Sequence, residues 1–325
     1  MEWSPPFVDG LRERLGSELF RRVAGPSGEK TRARIHDTPG PRWFGPDRPI
    51  RTVHGDAAMF AGGLTALLLQ SLHPSAMAAV AAHSGFRGDP WGRLQRTSTF
   101  LAVTTFGTAD DARHAVERVR AVHERVRGTA PGGLPYRASD PHLLGWVHVA
   151  EVHSFLRAHL RYGATPLTRA DCDGYMADTA RIAEELGAER PPRNLAELAR
   201  RLEAYRGELG GTREAREAAR FLLRDPPIPR RARAPYALLA AGAVELLPPW
   251  ALRELGLPPL PRPARAAARA GGRLAVGGIR WAMAPPPTRP PRPPRTPRGR
   301  TAGGEGREPG RDRGAPTGRT PGSSR

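Results

Sequence analysis

The chain has very little of several residue types that usually support structure or chemistry. Among 325 residues it has one cysteine, Cys172, and one lysine, Lys30, and aromatic residues make up 6%. A single cysteine excludes an intrachain disulfide and gives no sign of an oxidising compartment. Residues 1–14 mix charges and lack an apolar core, so no secretory signal is predicted.

Common catalytic motifs are also missing from the sequence. No glycine-rich phosphate loop follows a strand pattern, and no nucleophile elbow is present, so nucleotide and hydrolase chemistry have no support. Cys172 falls at the polar start of a predicted helix, which does not favour thiol chemistry.

Acidic residues are scarce, and the net charge is +19. Residues 285–325 carry ten arginines and three acidic residues, and residues 230–284 carry nine and two. Residues 1–229 are left with a net charge of only about +5, which is ordinary for a soluble domain. The basic character therefore belongs mainly to the C-terminal quarter.

Apolar residues recur at helical spacing from Thr52 to about Leu223, and alternating strand patterns are absent. We predict an all-α fold with one multi-helix domain. The predicted segments are a loosely ordered lead-in (1–44), the helical domain (45–260), a basic amphipathic helix (261–284) and a disordered Pro/Arg-rich tail (285–325).

Residues 57–82 contain no Asp, Glu, Lys or Arg. The stretch is long enough to span a bilayer, but Gly62-Gly63, Gln70 and the His73-Pro74 step interrupt it, which favours a buried helix pair. His73 ends the first of these helices and is expected to lie inside the protein or to line a cavity. A ligand role and a structural cap are both open for His73.

A histidine on the predicted helix that ends near Arg127 is the main candidate for metal binding. His123 lies on the same stripe as Val116, Val119 and Val126, so it is expected to point toward the core, whereas His114 should be solvated. Ligation through one nitrogen and a hydrogen bond through the other would satisfy a buried neutral imidazole. A core histidine bonded to the backbone is the alternative.

Arg93 and Thr97 share a face of the preceding predicted helix, with Arg96 beside them. An arginine in this position suits a carboxylate, such as a haem propionate or a substrate acid, and Thr97 suits a distal water or oxygen. The alternative is an ion pair with Asp89 and a hydrogen bond at the helix N-terminus.

The segment 140–162 is apolar on nearly every face and is predicted to be the central helix. His148 and His153 fall on different faces and cannot share one metal, whereas His148 and Glu151 can share a site. A di-iron centre would need inward carboxylates from other helices, which the sequence does not provide.

Several motifs in order resemble the MpaB/rubber-oxygenase catalytic domain family. The similarity covers about residues 45–258. The motifs are His54-Gly-Asp with Gly62-Gly63, Leu68-Leu-Gln-Ser-Leu-His-Pro74, Asp89-Pro-Trp-Gly-Arg-Leu-Gln-Arg-Thr97, Val122-His-Glu-Arg-Val-Arg-Gly128, Trp146-Val-His148 and Leu246-Leu-Pro-Pro-Trp250.

The resemblance implies a globin-reminiscent helical fold that holds haem b, with His123 as the iron ligand and Arg127 a turn later. Arg93 and Thr97 match an Arg-x-x-Lys-Thr run of the latex-clearing members, and Arg96 stands at its lysine. The glutamate proposed there as a base has no match, because residues 57–88 contain no glutamate. Arg93, Arg96 and Thr97 are thus the candidate catalytic residues, and His123, Arg93 and His73 the candidate haem-binding residues.

We therefore expect a haem-dependent oxygenase that uses O₂ on an apolar, isoprenoid or lipid-like substrate. The alternative is a non-catalytic helical protein that binds haem or an apolar ligand. Location in the cytoplasm is expected, with peripheral contact to anionic membranes through residues 261–284 as a further prediction. That segment carries Arg265, Arg269, Arg273 and Arg280 between apolar residues. The tail lacks aromatic residues, which argues against specific nucleic-acid binding.

Overall fold

The computed structural model describes residues 6–83 and 88–284. These residues are mostly helical, and the prediction of an all-α fold is confirmed. The helices in the described ranges are α1 Pro6–Ala24, α2 Gly28–Asp37, α3 Pro49–His54, α4 Met59–Gln70, α5 Pro74–His83, α6 Pro90–Phe106, α7 Ala109–His123, α8 Pro141–Tyr162, α9 Arg169–Leu186, α10 Leu195–Ala204, α11 Arg213–Leu223, α12 Arg233–Leu246, α13 Pro249–Glu254 and α14 Arg262–Met283.

Two short strands and two 3₁₀ turns complete the elements of the described ranges. Strands β1 Arg127–Thr129 and β2 Pro135–Arg137 pair antiparallel, and the 3₁₀ turns lie at Tyr205–Glu208 and Arg230–Ala232. The predicted disordered tail, residues 285–325, lies outside the described residues.

Helix boundaries follow from local capping chemistry. α9 begins at a capping box, in which the Thr168 hydroxyl accepts from the Asp171 N–H at 3.1 Å and the Asp171 carboxylate accepts from the Thr168 N–H at 2.9 Å. α9 ends at Gly187, whose φ of 102° is left-handed and favours glycine. Proline occupies the first turn of α3, α6, α8, α13 and α14, where its missing N–H is tolerated.

The uncharged segment forms the bent pair α4 and α5, as the His73-Pro74 step predicts. The two helices are bent by 107° at the break. Most α4 side chains are buried in the protein, among them Leu64, Leu68 and Leu69. No single helix in the described residues is long and apolar enough to cross a bilayer. The bent pair α4 and α5, taken together, does have the necessary length and composition.

α8 is the centre of the core and packs most extensively against α4. A glycine makes this close approach possible, because a Cβ at Gly62 would lie 3.1 Å from the Cα of Phe155. Trp146 on α8 and Tyr175 on α9 are fully buried. The predicted central position of the 140–162 segment therefore agrees with the packing.

The C-terminal helix α14 packs against α12 and α1. Gly242 of α12 and Gly272 of α14 face each other, and a Cβ at Gly272 would lie 2.7 Å from the Tyr162 hydroxyl and 3.0 Å from the Gly242 Cα. α14 is therefore held against the rest of the helices by a contact that has no room for a side chain.

Two local features differ from the sequence expectations. The lead-in, expected to be loosely ordered, contains α1 and α2. α1 finds helical partners in α6 and α14, which local composition does not reveal. α7 ends at His123 rather than at Arg127, because the chain turns there and Arg127 enters the β1–β2 hairpin.

Candidate functional site

The candidate site residues lie on the consecutive helices α6 and α7. Asp89 caps α6 by accepting from the Gly92 N–H at 2.9 Å, and Thr108 caps α7 by accepting from the Asp111 N–H at 3.1 Å. The helices are joined by Gly107 and Thr108 and pack against each other. The N-terminal end of α6 and the C-terminal end of α7 therefore both lie far from the Gly107–Thr108 connection.

His123 is the last residue of α7 and is half-buried. It follows the buried stripe of Ala112, Ala115 and Val116, while His114 is exposed, so both predicted orientations agree with the structure. The His123 Nδ1 atom is buried and has no hydrogen-bond partner among the described residues. Burial lowers the pKa of His123, with Glu124 opposing the shift. A neutral imidazole with an unused nitrogen is chemically fit to ligate iron.

Arg93, Arg96 and Thr97 differ in their surroundings. Arg93 is half-buried, and burial followed by the nearby Arg96 charge lowers its pKa. Arg96 is exposed and forms an ion pair with Asp89 at 3.2 Å, and Thr97 is exposed. The ion pair with Asp89, which was the alternative interpretation, is therefore formed by Arg96. Arg93 is the less exposed of the two arginines.

His73 lies in the turn between α4 and α5 and is buried, as its position before Pro74 suggested. Its ring is 6.3 Å from the Trp146 ring, and its Nε2 atom is 3.5 Å from Glu208 Oε2, longer than a normal hydrogen bond. Burial lowers the pKa of His73, although Glu208 opposes the shift. A helix cap and a cofactor contact both remain chemically open to this side chain.

A second polar group in the core joins α3, α6 and α9. His54 Nδ1 lies 2.8 Å from the Thr105 hydroxyl, and His54 Nε2 lies 3.2 Å from the Tyr175 hydroxyl. Thr105 and Tyr175 are buried, and burial lowers the pKa of His54 to about 3. His54 is therefore a neutral imidazole whose two nitrogens are both used, in contrast to His123.

Ionisable side chains on the central helix α8 are strongly desolvated. Burial raises the pKa of Glu151 to about 7 and lowers those of His148 and His153 to about 4. The Nε2 atoms of His148 and His153 are buried without a hydrogen-bond partner in the described ranges. Burial raises the pKa of Tyr175, and the charge of Glu151 adds to this shift.

The sequence predicted neither the His54–Tyr175 contact nor the raised pKa of Glu151. It indicates His54 only as part of a motif, and Glu151 only through its spacing from His148. The available signal was the presence of ionisable residues within an otherwise apolar central helix, since such groups are seldom buried without a partner.

The described residues contain no group of three or more His, Cys, Asp or Glu side chains placed to hold a metal ion. A haem iron makes a different demand, because the porphyrin supplies four nitrogens and the protein needs to supply only an axial ligand. His123 has one unpaired ring nitrogen that could serve as this ligand, a feature that it shares with His73, His148 and His153. Cys172 does not meet this demand, since it is buried and burial raises the pKa of its thiol.

Comparison with known families identifies the domain. Residues 51–281 match the family described as ER-bound oxygenase mpaB/B'/Rubber oxygenase, catalytic domain. The match covers most of the chain and includes α4 to α13 and nearly all of α14. The chain therefore belongs to this family of oxygenase catalytic domains, and oxygenases are oxidoreductases.

Two mycobacterial proteins are similar over a shorter range. The uncharacterized protein Rv2237 of Mycobacterium tuberculosis and the uncharacterized protein Mb2261 of Mycobacterium bovis are each 36% identical over 98 residues, which is 30% of this chain and 38% of the relative. The matched region thus spans little more than a third of these relatives. No solved structure matches the chain.

Proposed function

We propose that the protein is a haem b-dependent oxygenase and that His123 holds the iron. The observation that supports this is the buried, unpaired Nδ1 atom of a neutral histidine at the end of α7, within the region that matches the oxygenase family. Haem, when bound, supplies the redox chemistry with O₂. The chain supplies the axial ligand, the polarity of the site and access to it.

The arginines of α6 are suited to the carboxylates of the cofactor. Arg93 offers guanidinium donors from a half-buried position, where a charge-assisted hydrogen bond is stronger than in water. Arg96 already pairs with the Asp89 carboxylate, so binding to a propionate would exchange one carboxylate for another. Thr97 adds a hydroxyl on the same face of α6. His73 is proposed as a second histidine, beside His123, that contacts the cofactor.

The proposed substrate is apolar, of the isoprenoid or lipid-like class. α4 and α5 supply uncharged surfaces built from alanine, leucine, methionine and valine, apart from His83 at the end of α5. Part of α5 is buried only to an intermediate degree, including Ala78 and Ala79. Such a surface favours hydrocarbon over a charged substrate.

Haem titration of the purified protein tests the proposal. We expect a Soret band that His123→Ala abolishes, whereas His114→Ala, an exposed histidine on the same helix, leaves it intact. O₂ consumption with unsaturated hydrocarbons above that of free haem would support the oxygenase. Haem binding without turnover would support the carrier function instead. A protein that takes up no haem would overturn the haem-dependent oxygenase and leave binding of an apolar ligand as the alternative.

A further inference from the structure

α14 carries all of its arginines along one edge. Their spacings of three, four and seven residues place them within an arc of about 80° on the helix. The members of this arginine edge are Arg262, Arg265, Arg269, Arg273 and Arg280. The edge adjoins the face that packs into the protein, which includes Gly272, Ala275 and Val276.

The outward side of α14 is apolar. Its members, here called the apolar face, lie within another arc of about 80° and are all exposed. They are Ala267, Ala270, Leu274, Gly278 and Trp281. Leu274 is 69% exposed and Trp281 is 40% exposed. A helix on a soluble surface normally places charged residues opposite its buried face, and this face has none.

Two members of the arginine edge have partners inside the protein. Arg269 Nε donates to Glu245 Oε1 at 2.6 Å, and Arg280 Nη2 donates to Asp56 Oδ1 at 2.8 Å. The sequence had suggested both as membrane-facing cations. The other three, Arg262, Arg265 and Arg273, are exposed.

The positive charge continues from α14 onto the end of α8. Arg161 Nε lies 3.7 Å from Glu245 Oε2, and the exposed Arg157 is close enough for the charges of Glu245 and Arg269 to act on its pKa, which burial lowers. The Glu245 carboxylate therefore lies among the guanidinium groups of Arg157, Arg161 and Arg269, and the net charge of this side of the molecule is positive.

The charge distribution selects among possible occupants of the apolar face. Residues 255–284 contain no Asp or Glu, so a second copy seated here would bring together two positively charged helices with no carboxylate between them. An anionic lipid surface, in contrast, offers phosphates to the arginines and an apolar layer beneath them. The complementarity is therefore with a membrane interface.

We propose that the apolar face of α14 docks on anionic membrane surfaces, with Leu274 and Trp281 in the interface, Arg262 and Arg273 at lipid phosphates, and Arg265 adding positive charge from the far side of the helix. The helix lies along the membrane and does not span it. This surface brings the protein to the phase in which apolar molecules dissolve. The proposal stands whether or not the protein binds haem, since none of these residues belongs to the proposed haem site.

Vesicle sedimentation of the full chain tests the arginine edge. The probes are vesicles of phosphatidylcholine alone and vesicles that also contain phosphatidylglycerol. Each arginine at an anionic surface is worth roughly fivefold in partitioning, so the triple variant R262Q/R265Q/R273Q, which removes both phosphate-contacting arginines, should bind anionic vesicles at least about 25-fold more weakly. The control R200Q/R220Q/R224Q removes the same charge from exposed arginines on and after α10 and α11 and should bind nearly as the wild type does.

Equal weakening by the two triple variants would overturn the proposal, because net charge alone would then explain binding. A site-specific probe adds a second measurement. Cys172, the only cysteine, is replaced by alanine, and Leu274→Cys is labelled with an environment-sensitive fluorophore. We expect a blue shift on anionic vesicles at position 274 and none for the same label at Arg200→Cys.

Absence of the shift at position 274, or an equal shift at position 200, would overturn the proposal. A second copy on this face would also overturn it, and that outcome has its own signature. The label would shift with protein concentration in the absence of vesicles, and sedimentation velocity would show a dimer.

Discussion

Arg280 on α14 and Asp56, two residues after α3, form an ion pair that joins the two ends of the matched domain. Arg280 Nη2 lies 2.8 Å from Asp56 Oδ1 and donates to the Tyr162 carbonyl oxygen, also at 2.8 Å. Burial by itself raises the pKa of Asp56, but hydrogen bonds from the Ala164 and Ala58 N–H groups and from Arg280 outweigh it and lower that pKa. The carboxylate is therefore held ionised by groups from three parts of the chain.

Removal of this cation should destabilise the fold. We expect Arg280→Ala to lower the free energy of unfolding by about 2–3 kcal/mol, because a buried carboxylate loses its charged partner. Urea unfolding measures the change. Arg273→Ala, two turns earlier on the same edge but exposed, should change it by less than about 0.5 kcal/mol. Equal effects of the two variants would contradict the structural role of the ion pair.

The raised pKa of Glu151 predicts a specific pH dependence. In the folded protein this pKa is about 7, and its ordinary value is 4.5. Between these values the folded state keeps a proton that the unfolded chain has released, so stability is full below the lower value and falls as pH rises through this window. The loss amounts to about 3 kcal/mol and is complete above the folded pKa.

Glu151→Gln should remove this loss. Relative to the wild type, the variant should be more stable at about pH 8 than at about pH 5, as measured by urea unfolding at each pH. His54, His148 and His153 have lowered pKa values and act in the opposite direction, but they are present in both proteins and cancel in the difference. Glu185→Gln, at an exposed position, should keep the wild-type profile. A wild-type profile for Glu151→Gln would refute the prediction.

The two α6 arginines should contribute unequally to haem binding. We expect Arg93→Gln to weaken haem affinity by about tenfold or more, because a half-buried guanidinium makes the stronger hydrogen bonds to a carboxylate. Arg96→Gln should have a smaller effect, since Arg96 is exposed and water weakens its hydrogen bonds to a carboxylate. Haem titration followed at the Soret band measures both. A larger effect at Arg96 would reverse the proposed roles.

The contact between α12 and α14 should tolerate no added methyl group. Gly272→Ala places a Cβ 2.7 Å from the Tyr162 hydroxyl, and the overpacking should cost about 1–3 kcal/mol. Gly277→Ala, on the same helix with nothing within 4 Å of its Cβ, should instead stabilise by up to about 1 kcal/mol through helix propensity. Thermal unfolding measures both variants, and a shift in the same direction for both would contradict the packing argument.

Features that depend on local chemistry could be predicted from the sequence. The break at His73-Pro74 follows from the backbone restriction before proline, and the inward position of His123 follows from the spacing of the apolar residues before it. The β1–β2 hairpin was not predicted, because a strand of three residues is too short to show an alternation of apolar and polar side chains. The sequence pattern alone suggested only a loop there.

Features that depend on distant partners could not be predicted. The amphipathic pattern of α14 placed Arg269 and Arg280 with the solvated arginines, yet each pairs with a carboxylate on another element. The contact of His54 with Tyr175 joins residues that are far apart in sequence, and no local spacing encodes it. The roles of His123, Arg93, Arg96, Thr97 and His73 toward haem stay predictions that the experiments above can decide.

The contact between α1 and α14 joins the first and the last helix of the described residues. A Cβ at Gly16 would overlap the Ala282 carbonyl oxygen, so the two backbones meet closely. About 240 residues separate these helices, and translation at roughly 5–20 residues per second delays their meeting by some tens of seconds. α6 emerges earlier and covers part of α1. The side of α1 that α14 covers therefore stays open, and accessible to chaperones, until α14 has left the ribosome.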